Sequence, residues 1–182
     1  FIWDAKVSGQ RVILDDNSCV LDLMSLSTLD KINSIMRWSA LPGTSRHHWG
    51  TDIDIYDRAA VPENYCLQLV AEEYTDNGPF SPMSRWLKDY LNKADSPAFI
   101  FPYINDSNGI MPEPWHLSYL PVARQYQETW SLKLLQDILH KSDILEKAMV
   151  LSTIDALYER FIKGSINPTT VNSKLSECRE DL

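Results

Sequence analysis

The stretch Ser45-Arg46-His47-His48-Trp49-Gly50-Thr51-Asp52-Ile53-Asp54 concentrates more reactive side chains than any other part of the chain. From Asp52 the residues Asp-Ile-Asp-Ile-Tyr alternate with period two, the mark of a strand with unlike faces. On that alternation Asp52, Asp54 and Tyr56 share one face, and Ile53 and Ile55 face a core. His47 and Asp54 are seven positions apart, an odd separation that would place them on opposite faces of a straight strand. Gly50 between them permits a bend, so that His47 enters from a loop and Asp54 from the strand.

A second unusual segment is Glu113-Pro114-Trp115-His116. The chain has 4 histidines, at 47, 48, 116 and 140, and only His140 lies outside these two segments. A hydrolytic zinc centre needs three protein ligands of N or O type and one open position. His47, Asp54 and His116 supply two imidazoles and a carboxylate. Glu113, three residues before His116, stands where a general base is needed. For Glu113 and His116 to share a site the chain must twist or bulge, and Pro114 suits such an irregular or edge position. Spacing alone leaves another reading open. A histidine near a glycine is commonly a surface or capping residue, and Asp-x-Asp a solvated strand edge.

Working outward, Thr28 to Trp38 carries Leu29, Ile32, Ile35 and Met36 on one helical face, with Thr28 as N-cap. Ser81-Pro82 opens a second helix, continued at helical spacing by Met83, Trp86, Leu87, Tyr90 and Leu91. Ala98 to Tyr103 and Ile110 to Leu120 read as strands about the turn Asn105-Asp106-Ser107-Asn108-Gly109. Beyond residue 122 the pattern becomes helical. Trp130, Leu134, Ile138 and Leu139 mark one helix. The next runs from Ile144 to Phe161, with Asp143 and Glu146 as a capping box and Gly164 as its stop. This predicts one α+β domain over residues 1–164 and a polar tail over 165–182.

The 182 residues carry 17 Lys+Arg against 25 Asp+Glu, a net charge of −8, with 44% hydrophobic and 23% charged residues. That is the composition of a globular domain. The acidic balance argues against nucleic acid as a partner, because phosphate binding needs a concentrated basic face. No apolar run approaches the roughly 20 residues that span a bilayer, and no signal peptide is visible. The 3 cysteines, Cys19, Cys66 and Cys178, form no CxxC pair and read as thiols, with a Cys19–Cys66 bridge as the alternative for an exported chain.

The segment Ser45 to Asp54 resembles the S-x-H-x-x-G-x-A-x-D motif of the bacterial zinc D-alanyl-D-alanine carboxypeptidases (VanY-like, with the vancomycin-resistance dipeptidases as relatives). Glu113 to His116 resembles that family's E-x-W-H motif, and Leu41-Pro42-Gly43-Thr44 its approach to the first. The resemblance spans about residues 35–122. It implies a hedgehog/D,D-peptidase type fold, an antiparallel sheet with flanking helices, in an enzyme that cuts peptidoglycan stem peptides in the cell envelope or periplasm. It further implies Zn2+ held by His47, Asp54 and His116, with Glu113 as catalytic base and Ser45 close to substrate. Trp49 and Trp115 then read as cleft lining or as packing.

Two departures stand out. Asp52 occupies the position of a small residue, as a hydrogen-bond partner of His47 or His48 or as a change in metal preference. The family's Tyr-Arg-Ser-like segment ahead of the first motif is not found. The expectation is that it precedes Phe1, so that the chain begins inside its domain. Among Arg11, Arg37 and Arg46, the last is the best placed to serve the substrate instead. Two rival functions remain from sequence: an endopeptidase on peptidoglycan cross-links, and a non-catalytic peptidoglycan-binding module. Oligomeric state is not readable.

Overall fold

The computed structural model describes residues 2–16, 19–93, 98–104, 109–166 and 168. Its elements run α1 (Ile2–Val7), α2 (Thr28–Met36), β1 (Asp52–Asp54), α3 (Ser81–Lys93), β2 (Phe99–Ile100), β3 (His116–Tyr119), α4 (Leu120–Thr129), α5 (Leu132–Lys141), α6 (Lys147–Ser152), α7 (Ile154–Leu157) and α8 (Lys163–Ile166), with a π-helical turn, Tyr158–Ile162, between the last two. The class is α+β, as the sequence predicts.

The core is helical. Trp3 and Val7 of α1, Ile32, Ile35 and Met36 of α2, and Leu135 and Leu139 of α5 meet Val150, Ile154, Leu157, Phe161 and Ile166 from the C-terminal helices. The indole of Trp3 donates to the Leu145 carbonyl at 3.0 Å, and Asp4 Oδ1 accepts from the Leu145 amide at 2.9 Å. These bonds pin α1 to the entry of α6. Asp4 thereby takes the role expected of the Asp143–Glu146 capping box, which does not form. Glu146 instead adopts a left-handed conformation, φ 59°, with no side-chain cap bond.

Several expected boundaries move. Ser27 rather than Thr28 caps α2, its side chain accepting from the Asp30 amide, because the residue with extended φ and ψ is the one whose oxygen can turn back. The long C-terminal helix is interrupted at Thr153, which leaves helical geometry at φ −117°, ψ 10°. Gly164 lies inside α8, and Ser165 and Ile166 are buried, so the packed body extends past residue 164 into the expected tail. Residues 167 and 169–182 of that tail, with Cys178, lie outside the described residues, as do 105–108 of the expected turn. On α3 the buried side chains are Ser81, Ser84 and Leu91. Trp86 and Tyr90, expected in the apolar stripe, are 63% and 62% exposed and stack on each other at 5.6 Å. Cys66 is an exposed free thiol, and Cys19 is exposed as well.

The sheet has three antiparallel strands in the order β1-β3-β2. The strand expected over Ile110 to Leu120 shortens at both ends. A turn closes before His116, and α4 follows β3 directly at Leu120, with Pro121 in its first turn. β1 lies at an edge, so Ile53 is 51% exposed rather than in the core. The other face carries the site. The register sets Asp54 opposite His116 and Asp52 opposite Ser118, and residues two apart along each strand share that face.

Candidate metal centre

His47 is carried by a short 3-10 turn, Arg46–Trp49, closed by Gly50 at φ 70°. In this left-handed region glycine has no steric penalty. The chain therefore reverses between His47 and Asp54, as the odd spacing requires. Glu113 and His116 meet through a different device from the expected twist. The His116 amide donates to the Glu113 carbonyl at 3.1 Å, closing a four-residue turn with Pro114 in its second position, where proline's fixed φ is favoured.

The result is a compact cluster. One ligand atom from each of His47, Asp54 and His116 lies within 4.8 Å of the other two. His47 Nε2 is 3.5 Å from Asp54 Oδ1, and His116 Nδ1 is 3.5 Å from the same oxygen and 3.1 Å from Glu113 Oε2. The two imidazoles are 4.5 Å apart between centroids. The ring of Tyr103 meets His116 edge-on at 4.9 Å. His48 is exposed beside His47, and His140 is exposed on α5; both stand outside the cluster.

Beneath it lies a buried polar network. Asp52, with no exposed side-chain surface, accepts four hydrogen bonds. Thr51 Oγ1 (2.7 Å) and Ser118 Oγ (2.8 Å) donate to Oδ1. Arg46 Nε (2.7 Å) donates to Oδ2, where His116 Nε2 also lies at 2.9 Å. Arg46 is 0% exposed. Its remaining donors go to Ser118 Oγ at 2.6 Å and to the carbonyls of Ser165 and Ile166, both at 3.1 Å. Its guanidinium also lies 4.5 Å over the Trp49 ring. Arg46 therefore does not reach a substrate, contrary to expectation: every direction of its fork is taken inside the protein. The Asp52 carboxylate pairs with His116, while its main-chain carbonyl, not its carboxylate, meets His47 Nδ1; His48 is not a partner. With both carboxylate oxygens enclosed, Asp52 is not a further ligand.

The electrostatics follow. Burial alone would lower the pKa of His116, but the carboxylates of Asp52 and Glu113 outweigh it and raise the ring to about 9 in the metal-free state. His47 is raised by its contact with Asp54. Burial pushes Asp54 up, yet the neighbouring imidazoles bring it below the ordinary carboxylate value. Asp52, although buried, is drawn far down by His116, Arg46 and Thr51. His116 Nδ1 is itself buried with no hydrogen-bond partner, although Glu113 Oε2 lies 3.1 Å away. A buried orphan nitrogen facing a carboxylate and a second imidazole suits a divalent cation. Of the other expected residues, Ser45 is half-buried at the head of the 3-10 turn and makes no side-chain cap bond. Trp115 packs with Tyr74 and Phe80, and Trp49 stacks on Tyr126 at 5.8 Å. Both tryptophans are packing residues.

Fold and cluster together define a class: a small α+β protein with a two-histidine, one-carboxylate candidate cation site on the face of an antiparallel sheet. The chain belongs to the VanY family of D-alanyl-D-alanine carboxypeptidases, whose model matches residues 2–122. It is similar to an uncharacterised protein of Haemophilus influenzae, 32% identical over 124 residues, covering 67% of this chain and 92% of that protein. It is also similar to a second uncharacterised protein of the same organism, 45% identical over 40 residues, covering 22% of this chain and 27% of that one. No solved structure matches the chain.

Proposed function

We propose that this protein is a zinc-dependent D-alanyl-D-alanine carboxypeptidase, on a fold of the hedgehog/D,D-peptidase type, that trims peptidoglycan stem peptides in the cell envelope. The single observation that carries this is the His47–Asp54–His116 cluster with Glu113 against it, in a chain of this family. A zinc ion bound by those three side chains supplies Lewis acidity toward the peptide carbonyl and makes water nucleophilic near neutral pH.

The chain's own residues do the rest. Glu113 is 23% exposed at its side chain, open enough to meet solvent yet fixed by the turn that ends in His116. It accepts a proton from the water that attacks the penultimate residue's carbonyl. As the C–N bond breaks, it returns that proton to the amine of the departing D-alanine. Asp54 faces His116 across the strand pair and, as the anionic member of the ligand set, would offset part of the cation's charge. Ser45, two residues before His47 at the head of the 3-10 turn, lies beside the approaching peptide. A carboxylate held as a base beside three ligand side chains favours catalysis over mere peptide binding.

The test is release of D-alanine from a peptide ending in D-Ala-D-Ala by zinc-loaded protein. Glu113→Gln should lower turnover about 10²–10⁴-fold while zinc stays bound. Equal turnover in that variant, or cleavage only within cross-linked peptides, would overturn the assignment; loss of zinc would make Glu113 a ligand.

A further inference from the structure

The residue that departs from the family motif reaches both imidazoles of the cluster. The carboxylate of Asp52 lies 2.9 Å from His116 Nε2. Its main-chain carbonyl lies 3.1 Å from His47 Nδ1. Every other neighbour of that carboxylate donates to it: Arg46, Thr51 and Ser118. Arg46 stays charged and cannot accept, and its Nε lies 2.7 Å from Asp52 Oδ2, while the Thr51 and Ser118 hydroxyls are each placed to donate to Oδ1. This donor set favours the ionised form of Asp52. An ionised carboxylate only accepts; Glu113 Oε2 also competes for the ring's proton, 3.1 Å from Nδ1, but Nδ1 makes no hydrogen bond, so His116 carries hydrogen on Nε2. The carbonyl likewise only accepts, so His47 carries hydrogen on Nδ1. When neutral, the rings then keep lone pairs on His116 Nδ1 and His47 Nε2, the two nitrogens nearest Asp54 Oδ1.

We propose that Asp52 is the positioning residue of this centre, setting the tautomer of His116 through its carboxylate and that of His47 through its carbonyl. Arg46 acts as the anchor that keeps the carboxylate ionised and in place. The inference rests on the metal reading of the cluster. Arg46 does not itself approach the ligands. It is bolted to the carbonyls of Ser165 and Ile166 in α8, which gives Asp52 a rigid seat. Partners of this kind orient a ligand imidazole and raise its basicity, and losing one typically weakens metal affinity 10–100-fold.

The two routes differ in their response to mutation, which gives the test an internal control. Nitrogen-15 NMR of metal-free protein, at alkaline pH where both rings are neutral, reads the tautomers directly. Zinc affinity is measured in parallel against a competing chelator. In the wild type, His116 should be the Nε2–H form and His47 the Nδ1–H form; His116 as Nδ1–H overturns the proposal without any variant. In Asp52→Asn, His116 should lose its single tautomer and zinc should bind 10–100-fold more weakly, while His47 is unchanged. The double variant Asp52→Ala with Arg46→Leu removes both buried charges and should stay equally weakened. Wild-type affinity in the double variant would mean that Asp52 only neutralises Arg46, and would overturn the proposal while leaving the metal reading intact. A wild type that keeps both tautomers but binds no zinc would overturn the metal reading itself.

Discussion

His116 has 2% of its side chain exposed and yet, without metal, favours the charged form up to about pH 9. Its charge is compensated by carboxylates on both sides, and this fixes a sign. A pKa raised above the unfolded value of about 6.5 stabilises the metal-free fold fully below that value. The contribution is lost as pH rises through about 9. A metal ion competes with the same proton, so its affinity moves the opposite way. Zinc binding should tighten as pH rises toward about 9 and level off above it, releasing protons below that value, as read by calorimetry in buffers of unlike ionisation enthalpy. Affinity that is flat over that rise in pH would mean that His116 does not ligate. At this scale the cluster was legible because few histidines occur and a glycine breaks the odd His47–Asp54 interval. The Arg46–Asp52 pair was not. Its partners Ser118, Ser165 and Ile166 are 72, 119 and 120 residues from Arg46, and no local pattern encodes them.

Among the elements, the 3-10 turn and β1 form the hinge on which the site depends. A Cβ on Gly50 would touch nothing within 4 Å, but φ is +70°. Gly50→Ala should therefore act through backbone strain alone, costing about 1–2 kcal/mol in denaturant unfolding. A cost near zero would show that the turn relaxes freely. The helices divide by face in the same testable way. Leu139 of α5 is fully buried, whereas Leu134 is 40% exposed. Leu139→Ala should cost about 2–5 kcal/mol and Leu134→Ala about 0.5 kcal/mol; comparable losses would contradict the packing. The existence of α2, α3 and α5 was legible from apolar spacing, but the buried face was not throughout: Trp86 and Tyr90 of α3 and Leu134 of α5, all expected in the stripes, are exposed. The break at Thr153 was not legible, since the apolar residues continue straight through it. The exposure of Ile53 was equally hidden: alternation shows that two faces differ, but not that the strand lies at a sheet edge.

At the scale of the whole molecule, the family match ends at residue 122, while the core is completed by α5 to α8. Arg46 joins these parts at the site itself. No helix among the described residues is long and apolar enough to cross a membrane. Metal bound to the folded state alone should raise the melting temperature in proportion to the logarithm of its concentration, and chelation should reverse the shift. The most direct test of the account is elemental analysis of protein purified without added metal, for the wild type beside His47→Ala, Asp54→Ala and His116→Ala. The account predicts one zinc per chain in the wild type and little in each folded variant. Full zinc retained in His116→Ala, or a metal-free wild type that zinc neither loads nor stabilises, would contradict it.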